Sequence, residues 1–291
     1  MLFLLIIFIL LLLAGLYIYI ESTSLSVSNF EYIFDKLKVD EFDFVMLSDL
    51  HNMSYGKNNE KLIRIIDDIA PDAILLAGDM VTAGENTESL KEYESTIALL
   101  RRLKERYPLY YGIGNHEEKL KRAPYDFLKK WKAYTSELEK YGIHILQNET
   151  VTLEKEGIKI YGLDLENKYY KKFKGRPIED DYLENIFGKV AEDMVSILIA
   201  HLPDQFEGYA KWQPDLVLSG HIHGGIIRIP FLGGLVSPQY KLFPKYDSGE
   251  FKLGKSTMIL SRGVGTHSIL IRINNRAEVV HVKLLSGRKG A

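Results

Sequence analysis

The first twenty residues, MLFLLIIFILLLLAGLYIYI, carry no charged side chain. A helix with no polar face cannot lie half-exposed on a soluble domain. About twenty helical residues at roughly 1.5 Å each cross the hydrocarbon core of a bilayer. The run therefore predicts one transmembrane anchor over residues 1–20. A cleaved signal peptide would open on basic residues and close on a small-residue cleavage site, whereas here the apolar run continues through Tyr17 to Ile20. No Lys or Arg precedes the span, and Glu21, Glu31 and Asp35 follow it among scattered lysines. With the amino terminus as the positive flank, the expectation is a cytoplasmic amino terminus and a folded domain outside the cytoplasm.

Beyond the anchor, a polar, serine-rich stretch over 21–29 reads as a tether. A single domain is expected over 30–286, with ordered chain beginning near Leu25, and a short tail over 287–291. A chain of 291 residues with 46% hydrophobic content supports one large core. The formal charge of -2 gives no field that would gather nucleic acid, so no specific nucleic acid partner is expected. The absence of cysteine excludes disulfides, thiolate zinc sites and a cysteine nucleophile. Any metal must be held by nitrogen and oxygen.

Residues 30–44 are strand-like, and 42–47 read as a buried strand. A helix over 58–70 places Leu62, Ile65, Ile66 and Ile69 on one face, and 73–77 is a second buried strand. Strand, helix, strand opens an α/β domain. The pattern continues with a helix over 88–106, a strand over 109–113 and a helix over 125–141. Strands then dominate, at 151–153, 158–163, 195–200, 216–218, 258–260, 269–273 and 278–285.

Polar groups recur at the ends of these strands. Asp49 and His51 stand in SDLH after 42–47, where a strand's carboxyl end delivers functional side chains. Alone, the pair reads first as a capping aspartate beside a loop histidine. Asp79 follows AILLA with Gly78 beside it; alone, it is a turn former. Asn115, His116 and Glu117 follow LYYGI in GNHE, a third strand end. His201 closes VSILIA, where a histidine read singly is a satisfied core residue. His221 and His223 follow LVLSG in GHIHGG, and on an extended segment alternation would direct both rings to one side, as a metal-binding edge. His144 and His281 fall outside these blocks, and His267 lies in a glycine-rich turn that could approach the site; none of the three is included. The run NKYYKKFKGRP over 167–177 reads as a solvated loop, with contact to lipid headgroups or a phosphate-bearing substrate as its alternative.

Taken in order, DLH, GDMV, GNHE, AHLPD and GHIH closely resemble the signature blocks of the calcineurin-like metallophosphoesterase family, with a match from about residue 42 to 285. The segments SGHIHGGIIRIPFLGGLVSP and SRGVGTHSILIRINNRAE look like its membrane-associated bacterial subgroup with an amino-terminal span. Leu202 stands where that subgroup often has a histidine or asparagine, and Ile271 where it often has proline. The resemblance implies an α/β fold: a four-layer α-β-β-α sandwich of two mixed sheets flanked by helices. It implies one ion on Asp49, His51, Asp79 and His223 and a second on Asp79, Asn115, His201 and His221. Asp79 would bridge the two, and a shared carboxylate offsets the repulsion of cations about 3.5–4 Å apart.

A metal-bridging hydroxide would be the nucleophile. His116 would be the catalytic group near the leaving oxygen, with Glu117 orienting it. The mixed donors suit manganese, iron or zinc. The implied reaction is hydrolysis of a phosphodiester or phosphomonoester at a membrane surface by a monomeric chain. The alternative within the class is cleavage of a pyrophosphate in a lipid-linked sugar nucleotide such as UDP-diacylglucosamine. A catalytically silent membrane scaffold is disfavoured by the completeness of the site, and a purely structural metal by Asn115, a poor ligand for that role.

Overall fold

The computed structural model describes residues 1–84, 90–122, 125–171, 176–225, 227–229, 232–236, 242–266 and 271–288. His267, part of the run 167–177, the first two residues of the helix expected at 88–106, the start of the strand expected at 269–273 and the end of the tail lie outside them.

Strand Ala73–Ala77 is buried at all five positions, so both its faces must be covered. Leu75 and Ala77 meet Phe44, Met46, Ile197, Ile199 and Leu218 in one core. Ile74 and Leu76 meet Leu62, Ile66, Leu100 and Tyr134 in a second. Strand Val195–Ile199 is likewise covered twice, with Leu198 packing against Phe206, Tyr209 and Trp212 in a third core. Two sheets thus face each other across the first core, and helices cover the outer face of each. The result is the expected four-layer α/β sandwich. Burial of each such aliphatic side chain contributes about 1.5–3 kcal/mol.

The first sheet runs in the order Leu25–Phe34, Ala277–Ser286, Glu41–Leu47, Ala73–Ala77, Leu109–Gly112, Ile145–Leu146. Only the pairing of Ala277–Ser286 with Glu41–Leu47 is antiparallel. The second runs Gly249–Leu253, Ser256–Leu260, Leu216–Ser219, Val195–Ile199, Ile158–Gly162, Glu149–Leu153, with parallel pairing inside and antiparallel pairs at both edges. Parallel strands present their carboxyl ends along one edge. The chain therefore delivers Asp49, Asp79 and Asn115 from one sheet close to His201 and His221 from the other.

The expected tether over 21–29 is different. Helix Leu2–Thr23 continues past Ile20, and Leu25–Phe34 is a full edge strand in parallel register with Ala277–Ser286. The serines conceal a period-two pattern in LSVSNFEYIF, which suits a strand with one wet face. The stretch 30–44 is accordingly two strands with a turn between them. Helix Asn115–Arg122 was not anticipated: the residues read as strand-end ligands open a helix. Its acidic first turn and basic last turn match the helix dipole. Expected helices shorten to Glu60–Ile69, Glu94–Lys104 and Tyr125–Lys140. Where a strand was expected over 269–273, Ile271 and Arg272 are not extended pairs and Ile273 makes a single bridge to Ile227.

Helix Leu2–Thr23 has a mean hydropathy of 3.0 in its most apolar window and none of that window is buried. It is long and apolar enough to cross a membrane, a test that a signal sequence also passes. Its last turn is joined to the domain. Glu21 is buried and accepts from Arg276 Nε at 2.7 Å, and Ser22 Oγ accepts from the Arg272 amide at 3.0 Å.

Candidate metal centre

The loops that leave the strand ends turn sharply. Asp49, His51, Asp79, His221 and His223 have φ of 53°, 50°, 54°, 75° and 54°, left-handed values that side chains with a Cβ seldom adopt. Such strain persists only where surrounding structure enforces it, and it concentrates at functional sites. Gly78, at φ +86°, permits a close approach. A Cβ there would sit 2.6 Å from Gly114 N and 2.7 Å from His201 Nδ1.

Six of the seven expected donors fall into three overlapping groups, and the seventh, Asn115, follows the strand Leu109–Gly112 beside them. Donor atoms of Asp49, His51 and His223 lie within 4.8 Å of one another, as do those of His51, Asp79 and His116, and those of Asp79, His201 and His221. Asp79 Oδ2 is 3.1 Å from His201 Nε2 and 3.9 Å from His51 Nε2, and so stands between two groups. The expectation that His221 and His223 share one side of an extended segment is corrected. Their left-handed backbone makes the segment a turn, and their rings go to different groups.

Hydrogen bonds fix which ring nitrogens face inward. His201 Nδ1 is 2.7 Å from the Ala77 carbonyl, and its buried Nε2 faces Asp79 Oδ2 at 3.1 Å without a well-aligned hydrogen bond. Asn115 Oδ1 is likewise buried and unpartnered. A buried polar atom left unpaired costs about 1–3 kcal/mol, so these two atoms are suited to hold a cation. His223 Nδ1 is 3.2 Å from the Gly265 carbonyl, and His51 Nδ1 is 3.2 Å from Thr82 Oγ1. Asp49 accepts from Ser48 Oγ at 2.6 Å and from the His221 amide at 3.0 and 3.1 Å.

Burial alone would raise both carboxyls, but His223 and His201 beside Asp49, and His201 and His116 beside Asp79, hold them below the usual range. Burial would lower His201, yet Asp79 and Asp49 hold it up at about 10. Burial takes His221 and His223 down to about 3, with neighbouring imidazoles adding to the shift. Two anionic carboxylates and two neutral imidazoles with inward lone pairs make a donor set that suits borderline divalent cations.

Glu117 differs from its expected part. It is fully buried, and its carboxylate accepts from the amides of Asp79 at 2.9 Å, Met80 at 2.8 Å and Gly114 at 2.9 Å, and from Tyr111 Oη at 2.8 Å. It thus clamps the Asp79 turn to the Asn115 helix. The His116 ring is held instead by the Ala83 amide, which donates to Nδ1 at 3.0 Å.

Arg272 escaped sequence reasoning, and Tyr170 lies in the run 167–177, expected as a solvated loop with contact to a phosphate-bearing substrate as its alternative. The Tyr170 ring centroid lies 5.6 Å from that of His221 and 6.5 Å from that of His201, forming a wall beside the centre. Arg272 is 1% exposed, and its guanidinium donates to the carbonyls of Arg262, Gly263, Gly265 and Asn275 at 2.6 to 3.1 Å. It pins the turn whose Gly265 amide donates to the Asp49 carbonyl at 2.7 Å and whose Gly265 carbonyl faces His223. The usable signal was a lone arginine inside the apolar ILIRI run.

The chain is 28% identical over 250 residues to the uncharacterized metallophosphoesterase YkuE of Bacillus subtilis, covering 85% of this chain and 80% of that one. It is 26% identical over 250 residues to the phosphodiesterase YaeI of Escherichia coli, covering 84% of this chain and 82% of that one. A dimetal phosphatase structure from Danio rerio aligns at 12% identity with a TM-score of 0.41, covering 76% of this chain and 87% of that one. The family model for calcineurin-like phosphoesterases matches residues 42–225, a span that holds every donor named above. With more than half its length so matched, the chain belongs to the calcineurin-like phosphoesterase family and is a metallophosphoesterase.

Proposed function

We propose that this chain hydrolyses phosphoesters, diesters foremost, at a membrane surface with two metal ions. The observation that carries the reading is that Asp79 belongs to two of the three donor groups and shares His51 with the third, with Asn115 Oδ1 buried and unpartnered and His201 Nε2 buried 3.1 Å from Asp79 Oδ2. Asp49, His51, Asp79 and His223 would hold one ion, and Asp79, Asn115, His201 and His221 the other. Manganese, iron and zinc all suit these donors. When bound, such ions lower the pKa of water and screen charge on the phosphate.

The side chains supply the rest. Because His116 Nδ1 accepts from the Ala83 amide, the neutral ring carries its hydrogen on Nε2. That atom faces the centre, 4.0 Å from Asp79 Oδ2, and is placed to give a proton to the departing oxygen. Glu117 holds the Asp79 turn and the Asn115 helix in register. Tyr170 narrows the space beside His221. The preference for diesters is supported by the relative named a phosphodiesterase.

The helix Leu2–Thr23 is read as a membrane anchor and the remainder as one catalytic unit outside the cytoplasm, supported by the uncharged run over residues 1–20 and by an exposed apolar window in the helix. A lipid-linked pyrophosphate is the second reading, favoured by the direct join between that helix and the domain through Glu21 and Arg276.

The test is turnover of bis-p-nitrophenyl phosphate and p-nitrophenyl phosphate by the detergent-solubilised chain, metal-free and with manganese, beside Asp79→Asn. Metal-dependent release that disappears in the variant is the expected result, with the diester faster. No release with two ions bound would move the substrate to a lipid pyrophosphate. Failure to bind metal would overturn the reading.

A further inference from the structure

At the foot of the apolar helix lies an open cleft of about 790 Å³. Four cations line it, Arg228, Lys245, Arg262 and Arg276, against two carboxylates, Glu21 and Asp247. None of the seven candidate metal donors is among its lining residues. Each of its cations has a carboxylate partner, Lys245 donating to Glu207. Arg276 Nε donates to Glu21 at 2.7 Å, Arg262 donates to Glu278 at 3.0 Å and to Ser26 Oγ at 3.1 Å, and Arg228 lies 3.0 Å from Asp247. A guanidinium has five donors in a fixed fork, so one carboxylate partner orients it and leaves others for an anion.

The position of the cleft identifies the anion. Glu21, in the last turn of the helix, is itself a lining residue. If Leu2–Thr23 crosses a bilayer, its last turn marks the depth at which hydrocarbon gives way to headgroups, and Tyr17 and Tyr19 lie where interfacial aromatics belong. Leu232 and Phe243, also on the cleft, are 68% and 58% exposed, an arrangement costly in water and natural against acyl chains.

We infer that this cleft binds the headgroup phosphate of an anionic phospholipid, which sets the depth and tilt of the catalytic domain. The inference rests on the reading of the helix as an anchor, and it adds a lipid site separate from the metal centre. A phosphate group could also reach the cleft as free inorganic phosphate, so the test separates the two sources.

The full chain in detergent is analysed by native mass spectrometry with phosphatidylglycerol and phosphatidylcholine of matched acyl chains. The expected result is retention of phosphatidylglycerol at least about tenfold more strongly than phosphatidylcholine. The double variant Arg276→Gln, Lys245→Gln removes that preference, while its turnover of bis-p-nitrophenyl phosphate equals that of the parent. Equal retention of the two lipids, or a preference untouched by the double variant, overturns the inference. Binding of inorganic phosphate with no lipid preference assigns the cleft to the free anion and also overturns it. Flotation with pure phosphatidylcholine vesicles reads the helix alone. Flotation without phosphatidylglycerol preference sinks the headgroup site and leaves the anchor, and absence of flotation sinks the anchor itself.

Discussion

The two halves of the candidate centre are built differently. In the half of Asp49, His51 and His223, polar atoms satisfy one another: His51 Nε2 lies 3.2 Å from His223 Nε2, and both oxygens of Asp49 accept hydrogen bonds. In the half of Asn115, His201 and His221, two buried atoms have no well-aligned hydrogen bond. The first half keeps its shape through its own contacts and the turn that Arg272 pins. The second is shaped by strand ends and the Glu117 clamp, and its polar atoms are left for an ion to satisfy. Asp79 stands between them, 3.1 Å from His201 Nε2 and 3.9 Å from His51 Nε2.

That position makes Asp79→Asn the largest expected effect. It should lower kcat beyond the roughly 10²–10³-fold typical of losing one fixed electrostatic contact, and weaken both ions in a metal titration. A loss of one ion alone would show that the halves do not share this carboxylate. His116→Gln belongs to neither half: kcat should fall by roughly 10²–10⁴-fold with metal content, read by elemental analysis, unchanged. A fall in metal content would instead make His116 a ligand.

Arg272→Met should divide the halves. Losing the support behind His223 and Asp49 is expected to weaken the first-half ion by about 10–100-fold and leave the second-half ion alone. Equal weakening of both would erase the contrast. The smallest effect is thermal. Manganese at a hundredfold excess over the Kd of one site should stabilise the chain by about 2.7 kcal/mol, a Tm rise of roughly 5–10 °C. Asn115→Ala should remove the second-half share of that rise. An unchanged rise would mean that Asn115 Oδ1 does not meet the ion.

Where sequence spoke, it did so through contrast. AILLA followed by Gly78 and Asp79 sets a carboxylate directly after five apolar residues, and the buried strand with its polar end is found there. Four other strand ends repeat that contrast, which is why the donors could be named. Period-two alternation failed at His221 and His223 because it assumes extended backbone, and both residues are left-handed. The edge strand Leu25–Phe34 was hidden by its serines and by a partner far along the chain. Helix Asn115–Arg122 has one buried aliphatic, Leu120, too few to show a helical period. Arg272 could not be assigned a part because its acceptors are backbone carbonyls, which leave no trace in side-chain identity.

The register of Leu25–Phe34 with Ala277–Ser286 also sets a schedule. Ser28 and its hydrogen-bond partner Glu278 are 250 residues apart, so the strand beside the apolar helix emerges from the ribosome long before the strand it pairs with. At about 5–20 residues per second that edge waits roughly 10–50 s. Glu278 also receives the Arg262 amide at 2.7 Å, so the turn behind His223 and Asp49 is secured only when this last strand docks. A chain that has not yet made Ala277–Ser286 therefore has its donors but not their support, and the centre is completed only when that strand docks.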